Sequence, residues 1–177
     1  MNSIAMTETW LRPNRRLLIG VGLFNLLFFS LLAVLSWYFL WPTLSFLLVA
    51  FGLWRALQSW LACRSPRLAY GDGHLIVNLG PAAPIRIPIE VVEVFFLGQG
   101  PSKLPSSGPD AEASTIVVRL AEAAEDWKHR DVDPRFGAWC DGYITIRGAW
   151  CEPIRREVMG QLNTRLVEVR RERKQAG

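Results

Sequence analysis

Polar and apolar positions divide the chain into two unequal parts. From Leu17 to Trp54 it contains no Asp, Glu, Lys, Arg or His, and this apolar run is interrupted once, at Trp41-Pro42-Thr43. A membrane-spanning helix needs about 20 apolar residues, so the run is long enough for two. The pattern predicts two helices, about residues 15–40 and 43–62, that are joined by a tight turn and both cross a bilayer. The run is too long for a cleaved signal peptide, and no small-x-small cleavage site follows it.

Two polar side chains inside the run are predicted to make intramembrane contacts. Asn25 is expected to hydrogen-bond to the second helix or to another copy of the chain, or else to be a lone tolerated amide near one end of the span. Arg55 lies 12 positions after Thr43, about 18 Å along a helix axis. Its long side chain is expected to extend toward the lipid headgroups; the alternative is a buried functional arginine.

The residues that flank the run predict its orientation. Trp37, Tyr38 and Trp41 cluster at the turn and mark one membrane interface. The turn carries no charge, whereas basic residues precede and follow the pair. By the positive-inside rule both termini lie in the cytoplasm, in a multi-pass protein of the inner (cytoplasmic) membrane. The predicted membrane-surface contacts in these flanks are Arg12, Arg15, Arg16, Arg64 and Arg67.

The period of the pattern changes after residue 64. Residues 1–64 are therefore assigned to an N-terminal tail and the transmembrane hairpin, and residues 65–177 to a cytoplasmic domain. Gly71-Asp72-Gly73 separates two short apolar stretches and predicts a β-hairpin. In the second stretch Leu75, Val77 and Leu79 alternate with other residues, which is the two-residue period of a strand.

Further strands follow this hairpin. Ile85, Ile87 and Ile89 share one face of a strand that Pro88 restricts to a sheet edge or a strand end. Val91–Leu97 has so few polar residues that burial on both faces is expected. Thr115–Leu120 and Tyr143–Arg147 complete six or seven mostly antiparallel strands. A long mobile loop, Gly98–Ala113, and a polar irregular segment, Ala121–Gly142, are predicted between them.

The chain is predicted to end in an amphipathic helix, about residues 152–174. Pro153 suits its first turn, and apolar residues recur at steps of three and four. These are Ile154, Val158, Leu162, Leu166 and Val169. Its last turns carry the basic residues Arg170, Arg171, Arg173 and Lys174. They form either a solvated helix end or a contact with anionic lipid, which stabilises binding by about 1 kcal/mol per basic residue.

Composition narrows the function classes. The net charge of +4 is concentrated beside the apolar run and at the C-terminus, which suits a membrane surface better than nucleic acid. Three cysteines at irregular spacing predict free thiols in a reducing compartment; a Cys140–Cys151 disulfide is the alternative. His129, Asp131, Asp133 and Cys140 match no metal-ligand spacing. We expect no metal, no cofactor, no catalytic residue, no small-molecule substrate and no enzymatic activity.

The layout resembles the bacterial membrane proteins that carry a pleckstrin-homology-like domain. The likeness rests on the helical hairpin, its arginine-rich exit, Tyr70-Gly71-Asp72-Gly73, Ile85-Arg86-Ile87-Pro88 and the final helix. It implies a membrane-anchored α+β protein, in which a small antiparallel β-barrel or sheet is capped by the C-terminal amphipathic helix. The two segments between strands, Gly98–Ala113 and Ala121–Gly142, depart from the compact form of this domain.

The resemblance implies a function without catalysis. The cytoplasmic domain would be a docking or assembly module at the inner membrane that binds another membrane protein or a second copy of the chain. Sensing of anionic lipid is the alternative, and a third possibility is an accessory subunit of a membrane transport or export complex. The lipid bilayer is the expected partner of the apolar helices in every case.

Overall fold

The computed structural model describes residues 7–39, 42–80, 83–102 and 112–176. Trp41 and residues 103–111 of the predicted loop lie outside this part of the chain. The described elements are eight strands and three α-helices, with three single 3-10 turns. In chain order they are β1 (Glu8–Leu11), α1 (Arg15–Phe39), α2 (Pro42–Arg64), β2 (Leu68–Gly71), β3 (His74–Val77), β4 (Ile85–Pro88), β5 (Val92–Pro101), β6 (Glu112–Leu120), β7 (Gly137–Cys140), β8 (Tyr143–Arg147) and α3 (Arg156–Ala176).

The chain divides into two compact units. Pro13–Ser65 forms the helical pair, and the residues up to Arg12 join Pro66–Gly177 in the β unit. The predicted boundary between residues 64 and 65 is therefore wrong for the N-terminal segment. β1 belongs to the β unit because it pairs antiparallel with β2, with Leu11 opposite Leu68. The backbone N–H of Arg67 also donates to the Leu11 carbonyl at 2.9 Å.

The helical pair has the elements that the apolar run predicts. α1 and α2 pack through small residues: Gly22 lies against Ser59, and Gly52 lies against Phe29. A Cβ atom added at Gly52 would be 2.9 Å from the Cβ atom of Phe29. Close approach through small residues is how helices associate where no hydrophobic effect drives them together.

Two four-stranded antiparallel sheets build the β unit, in the orders β1-β2-β3-β4 and β5-β6-β8-β7. The predicted hairpin at Gly71-Asp72-Gly73 is confirmed. Asp72 and Gly73 have φ angles of 53° and 75°, which is the geometry of a type I′ turn. Asp141 and Gly142 repeat this turn between β8 and β7. The strand β7 lies inside the segment predicted to be irregular, Ala121–Gly142.

β5 differs from its prediction in length and in burial. It continues to Pro101, and its partner β6 begins at Glu112, so both ends of the predicted loop Gly98–Ala113 are strand. An irregularity in the pairing between Val92 and Val94 shifts the alternation and lets both Val92 and Phe95 face the core. Phe96 and Leu97 are left 44 % and 46 % exposed, so the prediction of burial on both faces is wrong.

The C-terminal helix α3 begins later than predicted. Glu152 and Pro153 precede the helix, because two groups of Glu152 are bonded to the N-terminal segment. The backbone N–H of Glu152 donates to the Arg12 carbonyl at 3.0 Å, and the carboxylate of Glu152 accepts from the Arg12 N–H at 2.9 Å. From Met159 onward one side of α3 packs with both sheets in a single core. The residues that α3 contributes to this core are Met159, Leu162, Leu166 and Val169.

Candidate functional site, a basic groove on the C-terminal helix

A groove of about 810 Å³ lies where the last turns of α3 pass the 3-10 turn Ile89–Val91. We call it the basic groove, because cations outnumber carboxylates four to one among its lining residues. It is lined by Ile89, Glu90, Val167, Arg170, Arg171, Arg173 and Lys174. All four cations were predicted to form either a contact with anionic lipid or a solvated helix end, and the structure brings them together with two residues of the 3-10 turn that follows β4.

Two of the four cations are fixed by contacts within the β unit. Arg170 Nη2 donates to the Glu90 carbonyl at 3.1 Å and also to the Val92 carbonyl. Arg173 Nη1 donates to the Gly73 carbonyl at 2.8 Å and lies 2.7 Å from Glu90 Oε1. These hydrogen bonds hold the end of α3 against both the β2–β3 turn and the start of β5.

The other two cations remain available to a ligand. Arg171 and Lys174 are exposed and lie three positions apart on α3, which places neighbouring side chains on the same helix face. Within the described residues neither forms an ion pair. Val167, one turn earlier, is 56 % exposed, whereas Ile89, which also lines the groove, is fully buried. The groove thus offers two free positive charges next to an exposed apolar side chain.

Asn163 fastens α3 to the edge of the second sheet. Its Oδ1 accepts from the Phe95 backbone N–H at 2.9 Å, and its Nδ2 donates to the Phe95 carbonyl at 3.0 Å. The side-chain amide therefore pairs with the edge strand β5 as another strand would. This residue was not among the predicted site residues, although an amide beside Leu162 and Leu166 of the apolar stripe was a usable signal.

The other predicted surface arginines, which lie outside the groove, differ in their exposure to solvent. Arg12, Arg15, Arg16 and Arg64 are exposed. Arg67 is 3 % exposed, with its guanidinium carbon 4.3 Å from the ring centroid of Phe136. The prediction of a membrane-surface contact is therefore wrong for Arg67, because the chain enters β2 at the next residue and takes this side chain into the β unit.

Both predicted intramembrane residues bond within their own helix. Asn25 Nδ2 donates to the Val21 carbonyl at 2.7 Å, whereas a bond to the second helix had been one expectation. Arg55 is half-exposed, and its Nη1 donates to Gln58 Oε1 at 3.2 Å. Its side chain thus extends toward the C-terminal end of α2.

Two of the side chains considered as metal ligands, Asp133 and Cys140, form hydrogen bonds with other residues. Asp133 accepts hydrogen bonds from Arg135, which lower the pKa of its carboxyl group. Cys140 donates to Asp141 Oδ2 at 3.2 Å, and this bond raises the pKa of the thiol. The described part of the chain contains no cluster of three or more His, Cys, Asp or Glu that could hold a metal ion.

None of the three cysteines forms a disulfide, as predicted. Cys140 is exposed, whereas Cys63 and Cys151 are buried. Burial raises the pKa of Cys151 to about 12, so this thiol is unreactive at neutral pH. Cys140 is therefore the thiol that a water-soluble reagent can reach.

Comparisons with protein-family models, with curated proteins and with solved structures give no match for this chain.

Proposed function

We propose that this chain is a non-enzymatic integral membrane protein whose β unit is a docking or assembly module at the inner membrane. The main support for a membrane anchor is the apolar surface of the helical pair. Phe24, Leu27, Phe46 and Leu47 are between 67 % and 70 % exposed, while Ser36 and Ser45 are buried. A unit that exposes large apolar side chains on two neighbouring helices is suited to lipid and not to water.

The length and burial of the two helices support this anchor. α1 and α2 are long and apolar enough to cross a membrane, and only 17 % and 11 % of their most apolar windows are buried. A core helix of a water-soluble protein would be mostly buried. Insertion is tested by alkaline carbonate extraction of membranes, from which an integral protein is not released and a peripheral protein is.

The pairing of β1 with β2 supports an even number of membrane crossings. β1 precedes the helical pair, β2 follows it, and the two strands are neighbours in one sheet. For a membrane-spanning pair, this pairing supports a position of both flanks on the same side of the bilayer. The exposed arginines at these flanks favour the cytoplasmic side by the positive-inside rule, which is the arrangement proposed for both termini.

Cys140 provides the test of this orientation. A membrane-impermeant maleimide is expected to label it in inverted inner-membrane vesicles and not in intact cells; Cys140→Ser is the control. Because the bond to Asp141 raises the pKa of the Cys140 thiol, its reactive thiolate is depleted at neutral pH and labelling should accelerate as the pH rises. Equal labelling of intact cells would overturn the cytoplasmic assignment.

The architecture of the β unit supports the pleckstrin-homology-like interpretation. Two antiparallel sheets enclose one core, and the C-terminal helix packs into it. A docking role is supported by features at the surface of this unit. The basic groove offers unpaired cations, and Phe96 and Tyr143 are each 44 % exposed on the second sheet.

Sensing of anionic lipid is the alternative that the four cations of the groove favour. The charge reversals Arg171→Glu and Lys174→Glu separate it from protein docking. Under lipid sensing, the full-length protein in neutral nanodiscs should lose its binding to separate phosphatidylglycerol vesicles. Under protein docking, vesicle binding should barely change.

An accessory role in a larger membrane complex is favoured by Arg55. The chain has no Asp or Glu from Thr9 to Gly71, so neither the helical pair nor a second copy of it supplies a carboxylate for this cation. A membrane partner with an acidic side chain would do so. Arg55→Leu should then reduce co-purification in mild detergent, whereas Arg15→Leu should not; equal recovery of the partner with both variants argues against this role.

A further inference from the structure

Contacts along α3 show where the basic groove lies in the β unit. Near the start of the helix, Glu152 bonds to Arg12, the residue that follows β1. In its middle, Arg165 forms an ion pair with Glu8, at the other end of β1, with a distance of 3.2 Å. Near its end, Arg173 bonds to Gly73, in the turn after β2. From its start to its end, α3 therefore passes from the neighbourhood of Arg12 to the β2–β3 turn.

The groove is consequently at the end of the β unit that is remote from the chain connections to the helices. The strand β1 ends at Leu11 just before the chain leaves the unit, β2 begins at Leu68 just after it returns, and these two residues are paired neighbours. Gly73 is at the other end of the hairpin. From Arg156 to Arg173 the helix axis is about 25 Å long.

We propose that the basic groove binds an acidic, partly apolar segment of a protein partner. This inference rests on the docking function proposed above and specifies the chemistry of the partner. Arg171 and Lys174 pair with carboxylates of the segment, and Val167 contacts its apolar residues. Arg170 and Arg173 keep the wall of the groove in place through their bonds to backbone carbonyls.

Charge and surface chemistry together favour this occupant. The groove has four cations and a single carboxylate, Glu90, whose Oε1 is already 2.7 Å from Arg173. A negative segment is therefore attracted and a positive one repelled. The exposed Val167, one helical turn before Arg171, adds a contact that a small inorganic anion could not use.

The test uses the full-length protein in phosphatidylcholine nanodiscs and a defined probe. The probe is a fluorescent peptide of repeated Glu-Glu-Leu units, and its binding is measured by anisotropy. The variant Arg171→Glu/Lys174→Glu should weaken binding by about ten-fold or more, because both free cations are replaced by repelling charges. The matched control, Arg155→Glu/Arg156→Glu, makes the same change of net charge at the other end of α3 and should leave affinity within about two-fold of the parent.

Three results would overturn the proposal. Equal losses in both variants would mean that net charge and not the groove controls binding. Groove-dependent binding to phosphatidylglycerol vesicles without groove-dependent peptide binding would identify lipid as the ligand. Groove-dependent self-association in sedimentation velocity would identify a second copy as the occupant.

Folding and insertion are checked separately from binding. Thermal unfolding of Arg171→Gln/Lys174→Gln should match that of the parent protein, and its peptide affinity should lie between those of the parent and the charge-reversed variant. The peptide assay is repeated in detergent micelles. A protein that binds there but is released by carbonate would contradict the anchor alone, and a carbonate-resistant protein without groove-dependent binding would contradict the groove alone.

Discussion

The helical pair and the β unit distribute their side chains in opposite ways. In the helical pair, small residues such as Gly22 and Gly52 lie between the helices, and large apolar residues such as Leu27 face outward. In the β unit, large residues such as Ile87 and Ile144 are fully buried. The hydrophobic effect drives the second arrangement in water. The first is the arrangement expected in the proposed bilayer, where the medium is itself apolar and close packing and hydrogen bonds drive association.

The sharpest test of this contrast is to separate the two units. β1 and β2 are neighbouring antiparallel strands, so replacing residues 13–65 by Asn-Gly should give a protein that folds without detergent and unfolds cooperatively in urea. A fragment of residues 66–177 lacks β1 and leaves the core around Leu68 uncovered. It should aggregate or remain unfolded in circular dichroism and sedimentation. Equal stability of the two proteins would show that β1 is dispensable.

A large-to-small substitution should have opposite consequences in the two units. Ile87 is fully buried, so Ile87→Ala should lower the free energy of unfolding of the β unit by about 2–5 kcal/mol. Leu27 is 70 % exposed on α1, and Leu27→Ala should leave that free energy unchanged. Urea unfolding of the full-length protein in detergent, followed by near-ultraviolet circular dichroism, measures both. A comparable loss for Leu27→Ala would place this residue in a core.

A small-to-large substitution sharpens the comparison inside the helical pair. At Gly52 an added side chain meets Phe29, whereas at Gly20 nothing lies within 4 Å of an added Cβ atom. Gly52→Leu should therefore destabilise the packing of α1 and α2 by about 1–3 kcal/mol. Gly20→Leu should be neutral or stabilising, since leucine favours a helix over glycine. Thermal unfolding in detergent should show a lower Tm for Gly52→Leu only.

In the β unit a single polar side chain, that of Asn163, should contribute nearly as much to the free energy of unfolding as a core residue. Asn163→Leu leaves the N–H and carbonyl groups of Phe95 without their partner, which should cost about 1–3 kcal/mol of stability. The neighbouring Thr164 is exposed, and Thr164→Leu is the control for added apolar bulk. Urea unfolding compares the two variants with the parent protein. If Asn163→Leu is as stable as the parent, the amide is not what closes the edge of β5.

Features that depend on local chemistry could be predicted from the sequence. The bounds of α1 and α2 follow from charge-free apolar runs, and the β2–β3 turn follows from Asp72-Gly73, because few other residues adopt positive φ angles. The alternation that buries Leu75 and Val77 is equally local. The apolar stripe of α3 was visible as well, although its start was misplaced because Glu152 bonds to a residue 140 positions away.

Features that depend on contacts distant in sequence required the tertiary structure. Four residues before the apolar run carry too little periodicity to reveal that β1 pairs across an insertion of two helices. An irregularity in β5, the burial of Arg67 and the pairing of Asn163 with Phe95 are likewise set by neighbours that lie far away along the chain. The basic groove is another feature that required the tertiary structure. Its cations were identified from composition, but only the fold places them beside Glu90 and Gly73, at the end of the β unit opposite its connections to the helices.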